Sequence, residues 1–407
     1  MDKVVVLGGA GAVGRVAART LASFGGLGRV VVADRDVGAA LAVQGDLGPA
    51  RVEVAAVDVG DAAGLRAVIQ GARVVLNCTG PYYRFARPVL EACIAARVDY
   101  VDVCDDVDAT FALLDLDDAA RAAGVRALIG MGNSPGITNL LGRLAADLLL
   151  QEVEAIDIYH AHGGEPFEGP GVVAHRLHGM SLDIPVFLDG ALKTVRFFEP
   201  DGIALRERVD FHLVGRDLQV YPYPHPEQIT MPRHIRCRQV TNRGTVLPQA
   251  YFELTTEVAR LGLTGTAPLE VGGRAVVPRD FAIAWLLQER ERLLREPPFG
   301  PQRGCTKVVV RGQRKGEPTS FVFSLASTDQ ALGEGTGIPA AMGVILALRG
   351  KVKGPGVLPP EAAVAPLDFL ALVKPVLATT GQQGSFQGVL VERVRADGRT
   401  QTVDLPY

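Results

Sequence analysis

Gly9-Ala10-Gly11-Ala12-Val13-Gly14 closely follows four apolar residues, Val4 to Leu7, and Asp34 stands 20 residues after Gly14. Between a strand and a helix, G-x-G-x-x-G is a dinucleotide grip. Gly9 permits the tight turn, Gly11 lets backbone approach a pyrophosphate, and Gly14 lets the helix pack on the strand. Unpaired N–H groups at Ala12 and Val13 open the helix and hold the phosphate. Asp34 suits a ribose 2′-hydroxyl and repels a 2′-phosphate, whereas its neighbour Arg35 can pair with that phosphate. The expected cofactor is NAD or NADP, and Asp34 favours NAD. Asp58, at the end of a third apolar run, lies near the adenine or serves a turn or cap, as Asp61 can.

Further candidates stand where later strands should end. One is Asn77-Cys78-Thr79-Gly80-Pro81-Tyr82, where small residues let the nicotinamide ribose come close. No base stands near Cys78 in sequence, which makes it a packing residue rather than a nucleophile. Tyr82 either fills a domain interface or borders the substrate, with Tyr83 as its competitor. In "YVDVCDD", Asp102, Asp105 and Asp106 are carboxylates that can bind an ammonium or move a proton. Equally, one of them can cap a helix beginning near Val107. His225 can act as acid or base near neutral pH, or be structural in its Pro-flanked loop. Arg233 and Arg176 are candidates for a bidentate clamp on a substrate carboxylate. His160, His162, His175 and His178 have spacings that metal ligands use. No carboxylate or cysteine pattern closes the set, and His160 and His162 fall at alternate positions of one strand, so no metal site is expected.

The elements that must position these residues alternate. Strand-like runs recur at Val4–Leu7, Val30–Ala33, Val52–Asp58, Val74–Asn77, Tyr100–Val103 and Ala127–Gly130, with helical spacing between them. That is an α/β arrangement with a doubly wound parallel sheet, in which ligands bind beyond the carboxyl ends of the strands. After Gly136 the alternation stops. A helix at about 138–150, a strand-like "VEAIDIYHAHGG", a Pro-rich 221–234 and a charged helix at 279–295 follow. Hairpin signals at 306–326 and around Asp397-Gly398 complete an α+β region with a largely antiparallel sheet.

Several stretches together resemble the saccharopine dehydrogenase superfamily. They are the glycine loop, "VVLNCTGPYYRFARPVLEACIAARVDYVDVCDD" from 74 and "GMGNSPGITNLLGRLAADLL" from 130. "VYPYPHPEQITMPRHI" (220–235) and "GEGTGIPAAMGVILALRGKV" (333–352) extend the likeness. The resemblance implies a Rossmann-type domain over 1–137, completed by a returning segment at about 334–375. It places an α+β substrate domain at 138–333, leaving a hairpin tail at 376–407. It implies that Cys78, Thr79 and Gly80 touch cofactor, and that Gly132, Asn133, Ser134, Pro135 and Gly136 lie under the nicotinamide and substrate. Gly335-Thr336-Gly337 then opens a helix toward the cleft. Many relatives carry Asp where this chain has Ser134, a departure that bears on saccharopine chemistry itself. The activity implied is hydride transfer at the CH–NH carbon of an amino-acid-like amine. Tyr82, Asp105 and His225 would handle protons, while Arg233, Arg176, Asn133 and Ser134 would bind substrate. Two alternatives are a trans-acting enoyl reductase and a non-catalytic dinucleotide-binding sensor. A homodimer is also implied.

Composition excludes other classes. The 407 residues are 48% hydrophobic and 21% charged with a net charge of -3, which gives no basis for nucleic-acid or anionic-membrane partners. Five cysteines, without CxxC spacing, argue against a disulfide framework or zinc ribbon and for a reducing compartment. With no signal-peptide pattern at the start and no apolar run long enough to span a bilayer, a soluble cytoplasmic protein is expected.

Overall fold

The computed structural model describes residues 2–24, 26–166, 168–328, 332–380 and 388–405. Strands β1 (Lys3–Leu7), β2 (Arg29–Asp34), β3 (Val52–Ala56), β4 (Val74–Asn77), β5 (Asp99–Asp102) and β6 (Arg126–Leu128) come first. Between and after them run α1 (Ala12–Ser23), α2 (Val37–Leu47), α3 (Ala62–Ile69), α4 (Tyr82–Ala96), α5 (Val107–Leu114) and α6 (Asp117–Ala123). Next come α7 (Ile137–Leu144), β7 (Glu152–Gly163), α8 (Pro170–Ser181), β8 (Asp183–Leu188), β9 (Ala191–Arg196) and α9 (Pro200–Ala204). β10 (Glu207–Phe211), β11 (Gly215–Pro222), α10 (Glu227–His234), β12 (Gln239–Leu247) and α11 (Gln249–Arg260) follow. A small hairpin, β13 (Leu269–Val271) and β14 (Arg274–Val276), precedes α12 (Pro278–Arg295) and a long hairpin, β15 (Arg303–Arg314) and β16 (Glu317–Ser327). The chain then returns through α13 (Leu332–Leu348), β17 (Gly356–Leu358), α14 (Pro360–Ala363) and α15 (Pro366–Thr380), ending in β18 (Val389–Arg395) and β19 (Thr400–Thr402).

The first sheet has the order β17-β6-β5-β4-β1-β2-β3, and its pairs are parallel. Val4, Val5, Val6 and Leu7 are wholly buried, as strands covered on both faces must be. Strand order reverses between β1 and β4, the crevice where open α/β sheets take ligands. The expected doubly wound sheet is present, with different edges. β3 stops at Ala56 rather than Asp58, and β6 at Leu128. A seventh strand, β17, has only three residues, too few for a periodicity to show. The helix expected over 138–150 is α7 followed by a π-helical turn at 145–149.

The second sheet runs β10-β11-β12-β7-β15-β16-β18-β19, with β8 joined to β12 and β9 to β8. β7 and β12 are parallel, and the remaining pairs are antiparallel. One apolar core links the two sheets. It extends from Val4 and Leu76 through Leu140 of α7 and Val344 of α13 to Ile156, Val310 and Phe321. Each large side chain buried there contributes about 1.5–3 kcal/mol. α13 packs on β4 and β5 of the first sheet and α7 on β15 of the second, so the two helices join the sheets through this core. No helix among the described residues is long and apolar enough to cross a membrane.

Candidate active site

A cavity of about 860 Å³ lies beyond the ends of β4, β5 and β6, and the second sheet and α8 close its other side. The glycine loop leads toward it. Gly14 packs where a Cβ would lie 2.1 Å from the Gly8 carbonyl oxygen, so only glycine lets α1 start there. Gly11 caps α1 without a side-chain hydrogen bond, and the first turn carries no acidic residue. The first-turn amides are thus left for an anion, and the loop fits a dinucleotide pyrophosphate. Asp34 stands beside the loop, its Oδ2 accepting the Ala10 N–H at 3.0 Å. Arg35 is exposed next to it. Asp58 is an exposed turn carboxylate that accepts the Gly60 N–H at 2.8 Å, and Asp61 accepts from Ala63 at the start of α3.

A buried chain of hydrogen bonds fixes the strand ends. Asn77 Oδ1 accepts the Thr79 N–H at 3.0 Å, and its Nδ2 donates to the Tyr100 hydroxyl at 3.1 Å. Tyr100 donates to Asp102 Oδ2 at 2.8 Å, while Asp102 Oδ1 accepts the N–H groups of Cys104 and Gly130. Asp102 therefore ties β5 to the β6 loop and is wholly buried. Burial raises its carboxyl to about 6. Burial, then the Asp102 charge, pushes the Cys78 thiol up to about 12, which leaves no thiolate at neutral pH. After β6, residues 132–136 form a turn closed by Gly132 N–H to the Pro135 carbonyl at 2.9 Å. Gly136 has φ +127°, a conformation that disfavours any side chain.

Carboxylates and histidines from opposite halves meet in the cavity. Asp106 occupies the N-cap position of α5 but makes no side-chain cap there. Its Oδ2 accepts the Tyr83 N–H at 3.0 Å, and its Oδ1 lies 3.1 Å from His175 Nδ1 on α8. Asp105 Oδ2 is 3.7 Å from the other ring nitrogen. Burial alone would lower His175, but Asp105 and Asp106 outweigh it and raise the imidazolium to about 9. Burial, followed by the Asp106 charge, raises Asp105 against the pull of His175. For Asp106 burial acts upward as well, but the His175 hydrogen bond and charge prevail and lower it. Tyr82 begins α4 on the cavity wall, and burial with nearby Cys78 and Asp105 holds its phenol well above the ordinary value. Tyr83 is half exposed, 5.3 Å from the His178 ring.

Ser134 joins a second network. Its hydroxyl donates to Glu227 Oε1 at 2.5 Å and lies 3.3 Å from His225 Nδ1. Thr138 donates to the same Glu227 oxygen at 2.9 Å, and Asn242 Nδ2 donates to Ser134 at 3.1 Å. Burial pushes Glu227 up, yet hydrogen bonds from His225 and Ser134 hold it below its ordinary value. A carboxylate thus reaches the Ser134 position from α10, although Ser134 itself has none. Burial keeps His160, stacked 5.5 Å from His225, well below its ordinary value and neutral. Asn133 lines the cavity and donates to Thr306 of β15 at 2.6 Å.

The two candidate arginines are not a clamp. Arg176 lines the cavity, but its Nη2 is 2.5 Å from Glu168 Oε1 and its Nη1 donates to Tyr251 at 3.3 Å. Arg233 is exposed on α10, over the Phe111 ring at 6.0 Å, and is not among the cavity residues. The four histidines do not converge. Among the described residues the group with metal-ligand spacing is Asp105, Asp106 and His175, within 4.8 Å of one another. Sequence reasoning missed His175 as a partner of Asp106 and Glu227 as a partner of Ser134. Neither spacing signals a contact, because the partners stand 69 and 93 positions apart.

Comparison with known proteins completes this geometry. Residues 4–128 match the family "Saccharopine dehydrogenase NADP binding domain". Over 393 residues the chain is 25% identical to carboxyaminopropylagmatine dehydrogenase of Synechocystis sp., covering 91% of this chain and 95% of that one. The protein is an NAD(P)-binding oxidoreductase similar to saccharopine dehydrogenase-like enzymes. Carboxynorspermidine synthase of Vibrio cholerae is 24% identical over 70% of the oxidoreductase and 71% of its own length. A trans-acting enoyl reductase of Mycobacterium bovis is 30% identical over 32% of each chain. Saccharopine dehydrogenase (L-Glu forming) from Saccharomyces cerevisiae shares the fold with a TM-score of 0.66, at 16% identity over 99% of this oxidoreductase and all of that chain.

Proposed function

We propose that the protein transfers hydride to or from the CH–NH carbon of an amino-acid-like amine of the lysine, saccharopine or opine type. NAD(P), when bound along the glycine loop, supplies the hydride donor or acceptor. In oxidation, the C–H bond of the nitrogen-bearing carbon breaks with its electron pair, the N–H proton passes to a protein base, and a C=N bond forms. Asp105 and Asp106 suit the positive charge of an ammonium or iminium group. His225, oriented by Ser134 and Glu227, holds or returns the proton, with Tyr82 alongside. α8 covers the cleft and restricts water.

The observation that carries this reading is convergence. Asp105 and Asp106 from one half and His175 and His225 from the other line one cavity beside Gly80 and Gly132. The two relatives matched over most of the chain, named for carboxyaminopropylagmatine and carboxynorspermidine, support an amine substrate. NAD is favoured by Asp34 beside the loop, and comparing the Kd values of NAD and NADP tests the preference. A cytoplasmic homodimer is part of the reading. Exposed Leu269, Val271 and Phe281 offer an apolar surface that a second copy can cover, which light scattering tests.

The main test mixes purified protein with NAD or NADP and each of lysine, saccharopine, diamines and opines, following absorbance of the reduced cofactor. Oxidation of one amine is expected. Silence from all of them, with cofactor binding confirmed by titration, rejects the reading and favours the enoyl-reductase alternative, to which the cavity's apolar wall is also suited.

A further inference from the structure

We infer that Glu361, buried on α14 behind the site, balances the charge of the proton-handling unit by giving up its own proton as His225 gains one. This rests on the proton role of His225 in the amine reading and adds a positioning residue to it. Two buried carboxylates converge on the first turn of α7, Glu227 from α10 and Glu361 from α14. Adjacent residues of that turn hold them. Thr138 donates to Glu227 Oε1 at 2.9 Å, and Asn139 Nδ2 donates to Glu361 Oε2 at 2.8 Å. Asn139 Oδ1 accepts the Gly136 N–H at 2.8 Å, so the amide turns its donor side to Glu361. On its other side, Glu227 Oε2 lies 3.5 Å from His225 Nδ1. Glu227 thus stands between the cavity histidine and the second acid.

Charge decides what the second acid does. The positive end of α7 offsets about half an elementary charge, enough to favour one carboxylate but not two. Glu227 has the further support of His225 and Ser134, which hold it below its ordinary value against burial. Glu361 is raised to about 7, by burial first, and the Glu227 charge adds to the rise. Thr230 of α10 and Asn139 of α7 are its polar neighbours, and Glu227 is the charged group that bears on it. While His225 is neutral, the two acids therefore share one negative charge and one proton. As a C=N bond forms and the C–H pair leaves as hydride, the N–H proton binds His225. Its charge compensates Glu227 and lets Glu361 ionise, so the buried unit keeps the same net charge. Thr230 Oγ1 and Glu361 Oε1 are buried without a hydrogen bond of good geometry. A cavity of about 10 Å³ beside Thr230 and Asn139, the size of one water, offers the departing proton a carrier. The Cys104 thiol on its wall is held protonated by burial and the Asp102 charge. Resetting passes the His225 proton to solvent and returns one to Glu361.

Infrared titration of the full-length protein reads Glu361 without any substrate. The parent should show a protonated-carboxyl stretch that fades as pH passes about 7, and Glu361→Gln should lack it. His225→Asn, which takes up no charge, should move that midpoint upward by roughly 0.5 pH unit. If this variant melts far below the parent, His225→Gln provides the same readout. In turnover, Glu361→Gln should keep the kcat/KM plateau for amine oxidation within about threefold of the parent. Its rising limb should move to lower pH by roughly 0.5 pH unit, because a nearby negative charge is gone, and Glu361→Asp should restore the parent's limb. A purely structural role would change the plateau and leave the limb in place. A carboxyl midpoint blind to His225, or superimposable limbs for parent and Glu361→Gln, overturns the charge balance and leaves the amine reading standing. Coupled titration of Glu361 and His225 without oxidation of any amine retains the charge balance and rejects the amine reading.

Discussion

The two walls of the cavity hold their polar groups by different means. On the dinucleotide side, Asn77, Tyr100 and Asp102 are fixed by short buried hydrogen bonds, several of them to backbone N–H groups at adjacent strand ends. On the other side, charged side chains hold one another. Arg176 and Arg290 flank Glu168, Arg290 also approaches Glu165, and Glu165 pairs with His162 at 2.6 Å. A backbone-anchored group keeps its place as long as the strands do. An ion-pair cluster depends on every member, because removing one leaves an uncompensated buried charge. The first wall is thus the rigid reference, and the second is the one that substitution can dismantle.

The largest effect is expected where that difference is greatest. Glu168→Gln leaves Arg176 and Arg290, both almost fully buried, without their shared carboxylate. A loss of about 3–5 kcal/mol is expected, read by denaturant unfolding. A change below about 1 kcal/mol would mean the cluster is solvated and the contrast false. On the rigid wall, Gly14→Ala sets a Cβ 2.1 Å from the Gly8 oxygen and should destabilise by about 1–3 kcal/mol. It should also abolish detectable NAD(P) binding in a fluorescence titration.

Smaller effects sharpen the comparison across the cleft. His175 titrates near 9, above its unfolded value, so its pairing with Asp106 contributes fully below the unfolded value and is lost as pH rises through about 9. Asp106→Asn should flatten the fall in melting temperature over that alkaline range. An unchanged slope would remove His175 from the contact. Glu361 gives the smallest effect. Its Oε2 accepts from Asn139 at 2.8 Å, and burial raises the carboxyl to about 7. The folded state therefore binds this proton more tightly than the unfolded chain, and stability falls as pH climbs from the ordinary carboxyl value to about 7. Glu361→Gln should remove that fall and melt slightly higher above neutrality, measured by calorimetry at acid and neutral pH.

Legibility followed distance along the chain. The glycine loop and Asp34 were readable because a strand, a turn and a helix within one βαβ unit meet by local geometry. Asp105 and Asp106 were readable as carboxylates at a strand end, but their partner His175 lies on α8 of the other half. The clamp expected from Arg233 and Arg176 failed for a related reason. Whether an arginine faces a cavity, and whether a glutamate has already taken its fork, depends on contacts that residue type and spacing leave open.

The order of apolar runs and glycines determined, without reference to any partner, that the first third forms a parallel sheet with a phosphate grip at β1. Short-range sterics and helix periodicity suffice for that. Only the tertiary structure decided which charges face the cleft and that Glu227 brings a carboxylate to Ser134. Those outcomes depend on how two sheets pack across α7 and α13, where pairing and burial energies of many distant residues are settled together.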